Sequence, residues 1–259
     1  MMPVYPFWKG CFSTAFAVLI GASSTTAQDP LWEKAVGLAS RAKERGLAPG
    51  RLEMDAFVKK PNGTVEQKST AVFTVVTEGE ESRTELISAT QNGKDVTERL
   101  KAEEARAQQR DKEERGRKDK HEVTVELEPG YHPFLPKVQP QVTYQRRGDA
   151  LLDGRKVVLF SFRHAADDGK SALAGRAWLD PETGVPLQVE VSPIPLPKHV
   201  DLMMSTTRFE AAADGLWHPA SSHVNGEGGM LWIHRVFESE FRFLEWHTTD
   251  ETSAPAQDR

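Results

Sequence analysis

Alternating apolar and polar residues are the main pattern along this chain. From Leu52 to Lys59, apolar side chains occupy one face (Leu52, Met54, Ala56, Val58), and mostly charged ones occupy the other. A period of two is typical of an antiparallel strand with one face on a core and the other in water. We predict further strands at 71–77, 84–89, 121–127, 157–162, 175–179, 185–191, 202–209, 217–224, 230–237 and 238–246.

The clearest hairpin lies between Gly175 and Val191. Its turn reads Asp180-Pro181-Glu182-Thr183-Gly184, in which the aspartate can accept from its own backbone and Pro181 fixes φ. Gly184 supplies the positive φ that reverses the chain. In the returning arm Val189 and Val191 point to one face, so we predict a half-buried antiparallel pair.

Two stretches have helical character instead. Asp29 and Pro30 suit the N-cap and first position of a helix that ends at Gly46, with an apolar stripe that includes Trp32. We expect this apolar stripe to be buried against a sheet.

Residues 95–120 are rich in charge and alanine, with acids four residues before bases, the favourable order on a helix. Val96 and Leu100 are the residues able to anchor this insertion. We interpret it as a solvated helical excursion; a partner-docking arm is the alternative.

Prolines interrupt the segment 129–136, which also carries Tyr131, Phe134 and Leu135. Prolines exclude a helix interior and a central strand, yet these side chains must lie on something apolar. The segment therefore either closes one end of the core or acts as a lid, with Phe134 and Leu135, over a ligand cavity.

Residues 1–27 read as a secretory signal peptide, with Lys9, a short apolar run from Cys11 to Ala22, and small residues before Ala27. Cleavage there would remove the one cysteine, so the mature chain must be held by packing rather than disulfides. We expect one folded domain over 28–247, a disordered tail at 248–259, and a periplasmic location.

Composition and motifs limit the classes of function that the chain can have. The chain has 259 residues, 38% of them hydrophobic, and a net charge of -5, which argues against nucleic acid as a partner. It contains no nucleophile elbow, phosphate-binding loop, dinucleotide fingerprint or zinc-protease motif. His218 and His223 lie five residues apart on one predicted strand and point to opposite faces, so we predict no metal and no cofactor.

Methionine and aromatic residues are concentrated in the late strands. Such side chains adapt to irregular, mobile ligands such as acyl chains, but they also build ordinary cores. Both interpretations stay open from the residues alone.

A family resemblance adds to this reading. The chain resembles the LolA-like outer-membrane lipoprotein-sorting superfamily in the order of several features. These are the 175–186 turn region, the Met203-Met204 strand, Phe209, and Asp214-Gly215-Leu216-Trp217-His218-Pro219. The resemblance covers most of 29–247. It implies a mainly β fold, a curved antiparallel half-barrel of about ten to eleven strands with helices on its concave side. Such proteins bind acyl chains of lipoproteins or related amphiphiles and have no catalytic residues. The 95–120 and 129–136 segments depart from that pattern.

We therefore predict a periplasmic, non-enzymatic carrier of a lipid, a lipoprotein acyl chain or a similar amphiphile, with a membrane-envelope protein as a further partner. The alternative is a protein-interaction or scaffolding module on the same fold, and a hydrolase with an unrecognised site is a remote third. The expected cavity residues are Trp178, Val189, Met203, Phe209, Trp217, Trp232, Phe237 and Phe241.

Overall fold

A computed structural model of the protein describes residues 29–78, 81–115, 130–166, 169–211, 215–230 and 233–248. The predicted signal peptide, the predicted strand 121–127 and the predicted tail beyond Thr248 lie outside these residues.

Within these residues, eleven antiparallel strands form one curved, unclosed sheet. They are β1 (Ala48–Lys59), β2 (Val65–Glu78), β3 (Glu81–Gln91), β4 (Lys94–Asp95), β5 (Val142–Leu152), β6 (Arg155–Ala165), β7 (Ala172–Leu179), β8 (Pro186–Ile194), β9 (Val200–Ala211), β10 (Trp217–Met230) and β11 (Ile233–His247). Two helices, α1 (Pro30–Glu44) and α2 (Thr97–Arg115), and a 3₁₀ helix (Pro136–Gln141) accompany them. The predicted fold class is confirmed.

The strand order is β4-β3-β2-β1-β11-β10-β9-β8-β7-β6-β5. The chain thus leaves the middle of the sheet at β1, reaches one edge at β4, restarts at the other edge with β5, and returns until β11 pairs with β1. Every pair of adjacent strands consists of sequence neighbours except β1 with β11, and the sequence neighbours β4 and β5 lie at opposite edges. One face of the sheet, which we call the inner face, receives α1; the opposite face is the outer face.

The N-terminal helix is held on the inner face by Trp32. Asp29 caps the helix, its Oδ1 accepting from the Leu31 amide at 2.9 Å. Trp32 is fully buried and stacks on Tyr144 of β5 at a centroid distance of 4.2 Å. Its ring also contacts Phe134 at 4.7 Å and Phe160 of β6 at 5.5 Å. Offset and tilted aromatic pairs such as these add to the burial of their area.

Residues 130–141, the bridging segment, run across the inner face beside α1. Tyr131 Oη lies 2.9 Å from His164 Nδ1, and His164 Nε2 lies 3.1 Å from Gln141 Oε1. Gln139 accepts from Trp32 Nε1 at 3.2 Å and donates to the Pro133 carbonyl. These contacts hold the segment to β6 and to the helix.

Helix α2 leaves the edge of the sheet beside β3. The Thr97 hydroxyl oxygen accepts from the Ala89 amide at 2.9 Å, and Asp95 accepts from the Thr97 amide at 2.8 Å. Val96 and Leu100 are half-buried, as the anchoring role predicted for them requires. Beyond Leu100, the described side chains of α2 are exposed. The predicted extension to 120 lies outside the described residues.

The predicted end of a strand at Val224 is wrong. β10 continues through Gly226, Gly228 and Gly229 to Met230, and β11 is one strand rather than the two predicted at 230–237 and 238–246. A Cβ on Gly228 would lie 2.2 Å from the His199 carbonyl oxygen, and one on Gly229 would lie 2.0 Å from that of Ile233. The glycines therefore allow close approach of neighbouring backbones inside the sheet instead of making a turn.

Strand β5 was not predicted. Its sequence carries Arg146, Arg147 and Gly148, which interrupt the alternation, and a register shift lies between Arg146 and Gly148 where it pairs with β6. β5 is an edge strand, and charges with a bulge are features that protect such edges from pairing with other chains.

We expect Trp32→Ala to lower the free energy of unfolding by roughly 3–5 kcal/mol, because it empties the centre of the contact between α1 and the sheet. Urea unfolding followed by circular dichroism measures this loss. Lys43→Ala, at an exposed position of the same helix, is the control and should change stability little. Equal stability of the two variants would contradict the central role of Trp32.

Candidate ligand-binding surface

One short helix cannot cover the whole inner face. Fifteen residues of α1 span roughly 22 Å, whereas eleven strands are roughly 48 Å wide. The buried core is confined to the part of the sheet that α1 and the bridging segment cover. Its sheet residues lie on β6 to β10. The inner faces of β1, β2 and β11 contribute nothing to that core.

The remaining part, which we call the open inner surface, is apolar. Strand pairing places Leu52 beside Phe243 and Phe73, Met54 beside Phe241, and Val58 beside Phe237. Met203 continues the surface across Gly226 of β10. Most of these side chains are half-buried, and Phe237 is 47% exposed. A contiguous apolar surface left to solvent on a soluble fold is a feature of binding sites.

Side-chain size varies systematically along this surface. One cross-strand row consists of Val224, Ser239, Ala56 and Ser69 on β10, β11, β1 and β2. Larger side chains flank it on both sides, with Phe237 and Val58 in one row and Phe241 and Met54 in the other. On β10 the pattern reverses, because Val224 is larger than the flanking Gly226 and Ser222. The small side chains of Ser239, Ala56 and Ser69 therefore form a short, shallow channel perpendicular to the strands, from β11 to β2.

The boundary between the core and the open surface lies at Phe243. A Cβ on Gly130 would approach the Phe243 ring to 2.9 Å, so the bridging segment begins directly on that ring. Farther along the sheet, Ser222 Oγ lies 3.1 Å from Ser205 Oγ and 3.3 Å from Thr207 Oγ1. These three buried hydroxyls hydrogen-bond to one another, which compensates for their loss of water where the core ends.

Charge is found on the outer face of the same strands. Arg242 contacts Glu53 at 3.1 Å and Asp55 at 3.2 Å, and Lys59 contacts Glu238 at 2.5 Å. Exposed pairs of this kind contribute little to stability. They do show that the outer face meets water, so the sheet is apolar on one side and ionic on the other.

The structure separates the residues that the sequence predicted to line a cavity. Val189, Phe209 and Trp217, together with Phe134 of the predicted lid, belong to the packed core. Met203, Phe237 and Phe241 lie on the open inner surface. Leu135 is half-buried in the bridging segment, and Trp232 lies outside the described residues.

Trp178 lies on the outer face, away from the others. It pairs with Gln188, while the inner pair of the same hairpin is Ala177 with Val189. The Arg176 guanidinium lies 5.2 Å from the Trp178 ring, which is nearly buried there. The register set by the turn therefore places Trp178 on the face opposite Val189.

Three residues of the open surface, Leu52, Met54 and Phe73, were absent from the predicted site. The alternation in β1 indicated the common face of Leu52 and Met54. What the sequence did not indicate was the pairing of the first strand with the last, which joins this face to Phe237 and Phe241.

His132 and Trp217 have adjacent rings, and each carries a buried nitrogen, Nδ1 and Nε1. Neither nitrogen has a hydrogen-bond partner in the described part of the chain. Their ring centroids are 4.8 Å apart, and Phe209 and Phe134 complete the cluster. Burial lowers the pKa of His132 to about 3. The histidine is therefore neutral at physiological pH.

Within the described ranges, no helix is long and apolar enough to cross a membrane. The same ranges contain no group of three or more histidine, cysteine, aspartate or glutamate side chains positioned to hold a metal ion.

No protein-family model and no curated protein matches the sequence. Solved structures similar to the chain include a putative outer membrane lipoprotein-sorting protein domain from Vibrio parahaemolyticus, at 13% identity and a TM-score of 0.43, covering 88% of this chain and 96% of that one. A DUF1329 family protein from Desulfovibrio piger has 9% identity and a TM-score of 0.38, covering 86% and 94%. The MucA/MucB complex of Pseudomonas aeruginosa gives 10% identity and a TM-score of 0.21, covering 83% and 98%.

The neutral His132 predicts a loss of stability in acid. Its pKa is about 6.5 in the unfolded chain and about 3 when folded, so below pH 6.5 the unfolded state binds the proton that the folded state excludes. The free energy of unfolding should fall with decreasing pH in this window, by at most about 1.4 kcal/mol per pH unit.

Urea unfolding at a series of pH values tests this contribution. His132→Phe keeps a ring in the cluster and should flatten the slope between about pH 6 and 4. His199→Gln, at an exposed position, should leave the slope unchanged. An unchanged slope in His132→Phe would show that burial of this imidazole has no part in the acid sensitivity.

Proposed function

We propose that the protein is a non-enzymatic binding protein for an amphiphile, a lipid or the acyl chain of a lipoprotein, which lies on the open inner surface. The observation that carries this proposal is the apolar surface on β1, β2, β9, β10 and β11 that the core under α1 does not include. Its Phe237 is about half exposed although its strand lies in the middle of the sheet.

The shape of the surface suits a hydrocarbon chain. The channel of small side chains crosses three strands, β11, β1 and β2, a distance of roughly 10 Å. An acyl chain in one leaflet of a bilayer occupies about half of a roughly 30 Å hydrocarbon core. The channel would therefore hold the greater part of one chain, with Phe237, Val58, Phe241 and Met54 on its two sides.

The energetics agree with this choice of ligand. Each methylene removed from water contributes about 0.8 kcal/mol before ordering costs are subtracted. The inner-face groups along the channel are hydrocarbon side chains, serine hydroxyls and the Gln67 amide, whose Nε2 donates to Ser69 Oγ at 3.3 Å. Affinity would then come from the buried length of the chain, with little dependence on its head group. Related lipids should compete for the surface.

Phe241→Asp should weaken the binding of a fluorescent fatty acid by about tenfold or more, because a carboxylate in the channel opposes burial of the chain. A fluorescence titration measures the dissociation constant. Phe57→Asp is the matched control: Phe57 is also a half-buried phenylalanine of the central strands, but it lies on the outer face between Lys59 and Lys68.

The control variant should bind like the unchanged protein. Equal affinity of the two folded variants would contradict the proposed location of the ligand. Absence of binding by the unchanged protein would favour the protein-interaction module instead.

We further propose that residues 1–27 direct export to the periplasm and that 28–247 form the folded domain. The N-cap of α1 at Asp29 supports this boundary, since the first helix begins two residues after the proposed cleavage site. The intact mass of the chain recovered from the periplasm should correspond to a start at Gln28. A full-length mass would contradict cleavage.

A further inference from the structure

The first half of the bridging segment is held on the inner face by its side chains. We call this half, residues 130–135, the strap. In the described part of the chain, no backbone-to-backbone hydrogen bond joins the strap to a strand. The second half is the 3₁₀ helix, whose Gln139 and Gln141 side chains bond to α1 and β6. Segments outside the backbone ladder can open while the sheet stays folded, so the 3₁₀ helix can serve as a hinge for the strap.

Three side chains attach the strap to the sheet. Tyr131 Oη lies 2.9 Å from His164 Nδ1 of β6, and the two rings stack at a centroid distance of 5.9 Å. Phe134 is fully buried in the core. His132 lies between them in the sequence and packs its ring against Trp217 at a centroid distance of 4.8 Å. One attachment of the strap is therefore a histidine, whose charge can change with pH.

The surroundings of His132 do not compensate a positive charge. Its ring contacts are with Phe134 in the strap, Phe209 on β9 and Trp217 on β10. Removal from water is the cause that lowers the pKa of His132, and among the described residues no charged side chain of α1, β9 or β10 contributes to it. Burial raises the pKa of the neighbouring Tyr131 phenol, which stays neutral. A proton on His132 therefore favours a state in which this ring reaches water.

The strap lies at the boundary between the core and the open inner surface. Its first residue, Gly130, lies against the Phe243 ring of β11. Phe243 follows the residue that pairs with Ser221 of β10, and Pro219 on the same strand pairs with Phe209. The apolar side chains beneath the strap, such as Phe209, thus adjoin the open inner surface across one strand.

We propose that the strap is released from the inner face in acid, with His132 as the proton-sensitive group, and that its release extends the open inner surface over Phe209 and Trp217. In the attached state the imidazole is neutral. In the released state it is hydrated and takes a proton, which opposes its return to an aromatic site that offers Nδ1 no acceptor. The release does not depend on the proposed function, whereas the larger ligand surface rests on it.

Proton linkage sets the direction and the limit of the effect. The pKa of His132 is about 3 in the attached state and about 6.5 when the ring is hydrated. Because the released state has the higher pKa, it binds the proton, and attachment is lost as pH falls below 6.5. Between pH 7 and pH 5 the ratio of released to attached strap should rise by at most about 25-fold.

Thiol labelling of buried cysteines measures how often the strap opens. The Phe134→Cys variant carries its thiol in the strap and Ala35→Cys carries one under α1, and both positions are fully buried. Cys11→Ser removes the remaining cysteine from both proteins. Rates with a dipyridyl disulfide are divided by those of a small thiol at the same pH.

Labelling in the strap variant should accelerate by up to about 25-fold from pH 7 to pH 5 and depend little on dilute urea, because release exposes little surface. Labelling under α1 should depend steeply on urea, since it needs unfolding of the core. A rate in the strap variant that is the same at both pH values overturns the proposal. A urea dependence as steep as that under α1 also overturns it.

Substitution of His132 tests its role as the sensitive group. In the Phe134→Cys protein, His132→Phe should remove the acceleration in acid, and so should His132→Gln, which also cannot gain a proton. The control is His199→Gln, at an exposed position, which should keep the acceleration. Tyr131→Phe removes the hydroxyl group bonded to His164 and should raise the rate at both pH values without changing their ratio. Acceleration that survives both His132 substitutions overturns the role of this residue.

Lipid binding tests the larger ligand surface. The probe is a fluorescent lysophosphatidylcholine, because its head group keeps its charge between pH 7 and pH 5. Its affinity for the unchanged protein should rise by about threefold or more from pH 7 to pH 5, as the released state becomes more populated. The His132→Phe variant should bind it equally at both pH values. Circular dichroism confirms that each variant is folded.

The two experiments separate the proposals. If the strap is released in acid but the lipid affinity is constant, the release stands and the extension of the ligand surface is wrong. If the protein binds the probe at neither pH, the proposed function fails, whereas the release is still decided by thiol labelling.

Discussion

The stacking of Trp32 on Tyr144 fixes which half of a very wide sheet becomes core. Because α1 is far shorter than the sheet is wide, its position decides where burial ends. With Trp32 centred on β5 and β6, and the bridging segment hydrogen-bonded to its indole, the helix covers the late strands up to Trp217. The same arrangement leaves the inner faces of β1, β2 and β11 without contact to α1. The core and the candidate ligand surface are two consequences of one contact.

The open half is compatible with a stable protein because the rest of the molecule compensates for it. Central strands are paired on both sides, so the backbone of β1 and β11 is satisfied without a covering layer. The outer face of the same strands is ionic, which keeps that side in water. An amphiphile in the channel would bury apolar area that the helix cannot reach. In this account the ligand completes the inner layer of the fold.

Much of the fold could be predicted from local pattern, and the failures have physical causes. Alternation identified the two faces of β1, and Asp29 with Pro30 located α1. The predicted strands stopped on either side of the glycines of β10, because a sequence does not distinguish a glycine that interrupts a strand from one that admits a neighbouring backbone. For the site, Trp178 was placed with Val189 although their pairing puts them on opposite faces. Pairing between the first and last strands is a long-range property, so the contribution of Met54 and Phe73 required the three-dimensional structure.

Native mass spectrometry of protein recovered gently from the periplasm tests the central claim most directly. The account predicts a population with one lipid-sized mass added to each chain, which solvent extraction removes and an added long-chain fatty acid restores. Tandem dissociation would then identify the class of the bound amphiphile. A chain that carries no added mass when recovered, and that gains none on incubation with fatty acid, would contradict the claim that the open inner surface binds a hydrocarbon chain.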